Sequence, residues 1–278
     1  MIKKITFSLK LSLLIIFPIR SEEDTNTDLA LSYFMQGEFL MSQGNYALAI
    51  LEFQEAIALD PNASTIHVAI ADGYIKLGKL KRSETHLKIA IELNPGETEG
   101  LDMLGQIYFS QKRYSDAQQI YKRLHTTDPD NLDYIFILAD LHRIQKNWDS
   151  SIDYYMLAYN VNTLAIKGLE QALQIALSTN KLKRAEEICE LMHNDTPDNL
   201  DILNTYKDLT LYNKNYKKSL DLLEKIEKQT GVTNELLLQK SALYEELNQK
   251  ELALEVALVA HENDSLNIDI LHRIVSVL

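Results

Sequence analysis

Four of the five prolines in this chain of 278 residues are separated by multiples of 34 residues. Pro61, Pro95 and Pro129 follow one another at this interval, and Pro197 lies two intervals farther on. Proline cannot donate the next helical hydrogen bond and restricts the residue before it, so each of these positions predicts the end of a helix. Since the register never slips, the chain is predicted to repeat one structural unit, and the same interval reaches a further turn-like segment at Gly231.

Each 34-residue unit contains two helical patterns joined by a short turn. In the first unit, helix A carries Tyr33 and Gly37, a turn follows at Gly44, and helix B carries Ala49 and Phe53. Small residues at fixed positions allow two helix backbones to approach closely, and large residues fill the space beside them. With only nine glycines and 46% hydrophobic residues, the chain is predicted to be all-α.

This pattern resembles the tetratricopeptide repeat family, whose unit is a 34-residue helix-turn-helix with a W-x-x-L-G-x-x-Y and A-x-x-x-F-x-x-A-x-x-x-x-P framework. The resemblance covers residues 30–265 as seven repeats and implies an α-solenoid superhelix. Residues 22–29 are expected to form a polar linker. Residues 266–278 are expected to be a C-terminal capping helix or a truncated eighth repeat.

The first 21 residues form a separate segment. Lys3 and Lys4 precede an apolar stretch from Ile5 to Ile19 that is interrupted by Lys10, and acidic residues follow. At about 15 residues the stretch is shorter than the ~20 that span a bilayer, which favours a secretory signal peptide and export to the periplasm or cell envelope. The alternatives are a membrane anchor formed by residues 1–21, which would be the chain's only membrane contact, and a cytoplasmic chain with an apolar start.

Composition and motifs argue against several functional classes. A net charge of −12 leaves little room for the basic face that nucleic-acid binding requires. Cys189, Glu190 and His193 form one i, i+4 pair and one Glu-x-x-His, which is too little for a metal site, and no phosphate-binding loop or nucleophile motif occurs. We therefore expect a chain that is not an enzyme and has no cofactor, no metal and no nucleic-acid partner.

The family resemblance implies a ligand-binding surface on helix A, at repeat positions 2, 5, 9, 12 and 13, where position 1 of the first repeat is residue 30. Across seven repeats these 35 positions hold twelve acidic and three basic residues, with apolar residues between them. Such a surface suits a basic, partly apolar polypeptide, because charge guides approach and apolar contacts supply much of the affinity. The residues predicted to line this partner-binding groove are Phe34, Glu38, Met41, Asp72, Ile75, Asp102, Gln106, Phe109, Phe136, Asp140, Arg143, Glu170, Asp208 and Tyr212.

The functional prediction is therefore a noncatalytic protein–protein interaction scaffold. The family's basic clamp for chaperone C-terminal carboxylates is not matched, because Phe34 and Glu38 stand where the clamp has Lys and Asn in the first repeat. The alternative is the repeat arm of a larger enzyme or complex whose catalytic part is absent from this chain. Self-association through the C-terminal helix is a further expectation.

Overall fold

The structure, a computed structural model, describes residues 22–278, and the regular secondary structure within this range is α-helical. The helices are α1 (Glu22–Ser42), α2 (Tyr46–Leu59), α3 (Ser64–Lys76), α4 (Leu80–Leu93), α5 (Thr98–Ser110), α6 (Tyr114–Thr127), α7 (Leu132–Ile144), α8 (Trp148–Val161), α9 (Ile166–Ser178), α10 (Leu182–Asp195), α11 (Leu200–Tyr212), α12 (Tyr216–Thr230), α13 (Asn234–Glu246), α14 (Lys250–Asn263) and α15 (Ile268–Val277). The predicted all-α class is confirmed.

The helices form two packing units, each a stack in sequence order. The first unit contains α1–α5 and ends at Lys112, and the second begins at Arg113 and contains α6–α15. Within each unit a helix contacts the one before it and the one after it, and several A helices also touch the next A helix, as α1 does with α3. The core therefore follows the stack, as expected for an α-solenoid.

Helix B ends where the proline spacing predicts. α2 ends two residues before Pro61 and α10 ends two residues before Pro197. At one of the joints without a proline, α12 ends at Thr230 and Gly231 follows with a φ of 86°, a left-handed conformation that glycine adopts without strain. Proline and glycine thus end the same structural element by different means.

The turn from helix A to helix B places one residue in the left-handed region in every repeat. These residues, with φ between 57° and 76°, are Gly44, Gly78, Lys112, Lys146, Asn180, Lys214 and Asn248. In the fourth repeat the amide of Lys146 donates to the carbonyl of Arg143 at 3.0 Å, and the amide of Asn147 donates to that of His142 at 2.9 Å. This pair of bonds is the Schellman arrangement, in which glycine is favoured and asparagine tolerated.

Lys146 is therefore strained in its turn. We expect Lys146→Gly to raise the free energy of unfolding by ~0.5–1 kcal/mol, because a left-handed L-residue costs ~1–2 kcal/mol and glycine's greater entropy in the unfolded chain offsets part of the gain. Lys146→Val should lower it instead. Thermal unfolding of both variants tests this. Asn180→Gly, at the same turn position of the next repeat, is the control and should stabilise the protein less. Destabilisation by Lys146→Gly would contradict the assigned turn.

Helices A and B meet at small residues. A Cβ atom added to Gly37 would lie 2.4–2.9 Å from ring atoms of Phe53, which is fully buried. Where serine replaces alanine at such contacts, its hydroxyl bonds to the facing backbone: Ser151 Oγ donates to the Ala139 carbonyl at 2.9 Å, and Ser241 Oγ donates to that of Ala253 at 2.7 Å. The small residues thus set the distance between the paired helices.

The contact between Gly37 and Phe53 can be tested by a double-mutant cycle. Gly37→Ala should lower the free energy of unfolding by ~1–3 kcal/mol, because the ring has no free space to move into. Adding Phe53→Leu should recover part of the loss, giving a coupling energy of ~0.5–3 kcal/mol. Gly96→Ala is the control, since its added Cβ would meet only the Asn94 side-chain oxygen at 3.5 Å. Equal effects at Gly37 and Gly96 would contradict the packing.

The ends of the repeat array differ in part from the sequence expectation. Residues 22–29, expected to be a polar linker, are helical and continue into α1, in keeping with the absence of glycine and proline there. α15 lies in the register of a further helix A and buries Ile270 and Val277.

None of the helices within residues 22–278 is long and apolar enough to cross a membrane. The predicted signal peptide or anchor, residues 1–21, lies outside the described residues.

Candidate functional site

A groove in the first unit brings together four of the predicted site residues. It has a volume of about 300 Å³ and is lined by residues of α1, α3 and the start of α5: Phe34, Glu38, Met41, Thr65, Val68, Ala69, Asp72, Glu97 and Glu99. We call this the acidic groove. Its floor is apolar, and the side chains that complete it are carboxylates.

The floor of the acidic groove depends on the packing of α1 against α2. The ring of Phe34 lies 5.6 Å from that of Phe53, centroid to centroid, and Phe53 occupies the space that Gly37 leaves open. Phe34 is half-buried, and Met41 lies on the same face of α1, two turns farther along. Buried Val68 and half-buried Ala69 of α3 continue this apolar surface.

The carboxylates of the acidic groove are poorly compensated. Burial raises the pKa of Glu38, and the neighbouring charges of Asp72 and Glu99 raise it further. Among the described residues, Glu38 and Glu99 form neither a hydrogen bond nor an ion pair. Asp72 pairs with Lys76 only at 3.8 Å, and Glu97 accepts hydrogen bonds from the neutral Ser64 and Asn94. The groove therefore carries excess negative charge over an apolar floor.

The other predicted residues of the first unit do not line this groove. Ile75 is half-buried on α3. On α5, Gln106 donates a hydrogen bond of 2.8 Å to the carboxylate of Asp102, so these two polar groups bind each other. Phe109, near the end of α5, is 38% exposed.

In the second unit several predicted residues interact with each other or with the core. Arg143 Nη2 lies 2.7 Å from Asp140 Oδ1, and the Tyr155 hydroxyl donates to the same oxygen at 2.7 Å. Phe136 packs against the ring of Tyr155 and belongs to the border of the core. Glu170 is exposed. Asp140 thus has a basic partner, whereas repeat position alone counts it as a free acid.

The last two predicted residues lie on α11. Asp208 is paired with Lys207 at 3.1 Å, and Tyr212 is 68% exposed at the edge of a second groove of about 380 Å³. Lys207 and Arg273 also line this second groove. Neither was predicted from the sequence. Lys207 stands at the repeat position of Gly37 and Ala71, where its long charged side chain is the only signal, and Arg273 lies beyond the seven predicted repeats.

Several cysteine and histidine side chains outside the grooves form structural contacts. Burial raises the pKa of Cys189 to about 12, so the thiol is inert, and Lys225 Nζ contacts His193 Nε2 at 2.7 Å. His67 and His86 approach each other with their Nδ1 atoms 3.1 Å apart. Among the described side chains, no group of three or more His, Cys, Asp or Glu is placed to hold a metal ion.

Comparison with known families supports the repeat assignment. Residues 40–107 and 103–162 match two tetratricopeptide repeat models, and the seven turns at repeat position 15 continue the same register through Asn248. The chain is a tetratricopeptide repeat protein. Tetratricopeptide folds are protein-interaction scaffolds and are generally noncatalytic.

Relatives of this tetratricopeptide repeat protein match over parts of their length. It is 26% identical over 136 residues to Tetratricopeptide repeat protein 21A of Mus musculus, covering 49% of this chain and 10% of the relative. It is 31% identical over 100 residues to Hsp70-Hsp90 organizing protein 3 of Arabidopsis thaliana, covering 36% of this chain and 18% of the relative. The crystal structure of a tetratricopeptide repeat protein from Parabacteroides merdae aligns with a TM-score of 0.52 at 13% identity, covering 90% of this chain and 99% of that one, which shows a shared fold.

The histidine pair predicts a dependence of stability on pH. Burial lowers the pKa of His67 and of His86, so below about pH 6.5 the unfolded chain binds more protons than the folded chain and stability falls as pH falls. We expect the urea concentration at the midpoint of unfolding to decrease when the pH is lowered from about 7.5 to about 5.5. It should decrease less in a His86→Gln variant. Equal pH dependence in the two proteins would contradict this assignment.

Proposed function

We propose that the chain is an interaction scaffold that binds a basic, partly apolar polypeptide segment, and that the acidic groove of the first unit receives its basic residues. The observation that carries this proposal is a set of four carboxylates around an apolar floor, of which only Asp72 has a basic partner, Lys76 at 3.8 Å. A lysine or arginine would supply the missing positive charge while its aliphatic stem lies on Phe34 and Met41.

The acidic groove disfavours an acidic ligand. A peptide ending in carboxylates would approach Glu38, Asp72 and Glu99. Burial and the neighbouring charges of Asp72 and Glu99 already raise the pKa of Glu38. Placing like charges together costs binding free energy, so specificity arises from repulsion as well as attraction. The match to Hsp70-Hsp90 organizing protein 3 therefore supports the scaffold class and does not specify the ligand.

The proposal concerns binding and applies equally to a chain that acts by itself and to the arm of a larger enzyme. Export to the cell envelope, proposed from residues 1–21, is a separate hypothesis. It predicts that the ligand is itself an envelope protein or an exported segment.

The test compares two synthetic peptides with a fluorescent label. One alternates lysine with leucine, and the other has glutamate in place of every lysine. In fluorescence anisotropy titrations, wild-type protein should bind the basic peptide at least tenfold more tightly than the acidic peptide, a difference of ~1.4 kcal/mol in binding free energy. This preference should weaken with added salt.

Two triple variants with the same change in net charge locate the site. Glu38→Gln/Asp72→Asn/Glu99→Gln should remove most of the preference for the basic peptide. Glu52→Gln/Glu55→Gln/Glu92→Gln changes three carboxylates on helices α2 and α4, outside the acidic groove, and should retain it. Equal losses in the two variants would show attraction by overall charge and refute the groove, and no preference in the wild type would refute the proposed ligand class.

A further inference from the structure

The second groove differs from the acidic groove in its walls and in its charge. It lies in the second unit between α11, α12, α13 and α15, and its volume of about 380 Å³ suits a large side chain or a small ligand. Buried Leu223 of α12 and buried Leu243 of α13 form its apolar base. Leu211 and Tyr212 of α11 border it and are 46% and 68% exposed.

The three least exposed ionic groups of the second groove, Lys207, Glu245 and Arg273, are each ion-paired. Lys207, whose side chain is 13% exposed, lies 3.1 Å from Asp208 and donates a 3.3 Å hydrogen bond to Gln239. Arg273, whose side chain is 16% exposed, lies 2.7 Å from Glu245. An incoming charge would therefore meet counter-charges that are already engaged.

The remaining polar groups extend this pattern. The guanidinium of Arg273 also donates to the hydroxyl and the carbonyl of Ser241, so its donors are directed into α13. A hydrogen bond with Glu246 raises the pKa of the Tyr216 hydroxyl. Lys214 is exposed at the rim, in the turn between α11 and α12. Exposed Lys214 and Glu246 remain at the rim, but the charges next to the apolar base are compensated. This favours an uncharged occupant at the base, because a charged one would lose hydration there without gaining a partner.

We propose that the second groove is a binding site for one large uncharged apolar side chain, aromatic or leucine, of a partner polypeptide. Its base buries the apolar side chain, and the paired ions around it exclude water without attracting charge, as in the polar rim around a binding hot spot. The exposed ring of Tyr212 adds an aromatic surface to this site. The proposal is independent of the acidic groove.

The test measures binding of four blocked pentapeptides that differ only at a central residue, which is Trp, Leu, Lys or Glu between pairs of glycines. Titration of the full-length chain, followed by NMR of labelled alanine and leucine methyl groups, should shift the signals of Ala242 and Leu243. The Trp and Leu peptides should bind at least tenfold more tightly than the Lys and Glu peptides. Equal binding of the charged peptides would refute the proposal.

Variants distinguish this groove from other surfaces. Ala242→Trp places a large side chain on an exposed position of the groove wall and should abolish the shifts caused by the Trp peptide, whereas Ala47→Trp, on exposed α2, should leave them unchanged. Tyr212→Ser should weaken binding several-fold. Unchanged binding in Ala242→Trp would place the site elsewhere. The triple variant of the acidic groove should bind the Trp peptide normally, and loss of that binding would also refute the proposal.

Discussion

The close approach of helix A to helix B is the constraint on which the rest of the structure depends. Two helices of 13 or 14 residues bury too little surface to be stable alone, so each pair must lie close together and then stack on its neighbours. Gly37 shows how narrow the space is, since one added carbon would overlap the Phe53 ring. The same distance allows the hydroxyls of Ser151 and Ser241 to reach the backbone of the facing helix.

This packing also orients the acidic groove. Phe53 fills the space above Gly37 and contacts Phe34, and Phe34 forms part of the groove floor. Glu38 follows Gly37 in α1 and therefore faces away from the Phe53 contact, toward Asp72 and Glu99. A small residue required for helix packing thus determines where a carboxylate of the proposed binding site lies.

The fold could be predicted from the sequence because its determinants are periodic. Prolines at 34-residue intervals and the small residues between them predict the helix ends and helix contacts. Residues 22–29 lack any such signal, and the prediction of a linker there is wrong because they are helical. The site was only partly predictable. Repeat position placed Phe34, Glu38, Met41 and Asp72 on one face, but Glu97 precedes its helix and falls outside the positions that the family pattern assigns to the groove.

The partners of charged groups could not be predicted from repeat position, and they decide what each groove can bind. Asp140 and Asp208 occupy the same position in their repeats as Glu38 and Asp72. Asp140 is ion-paired with Arg143 and accepts a hydrogen bond from Tyr155, and Asp208 is paired with Lys207. Two surfaces with similar counts of acids can therefore differ in ligand class, because a carboxylate attracts a basic ligand more strongly when the fold leaves it without a close basic partner.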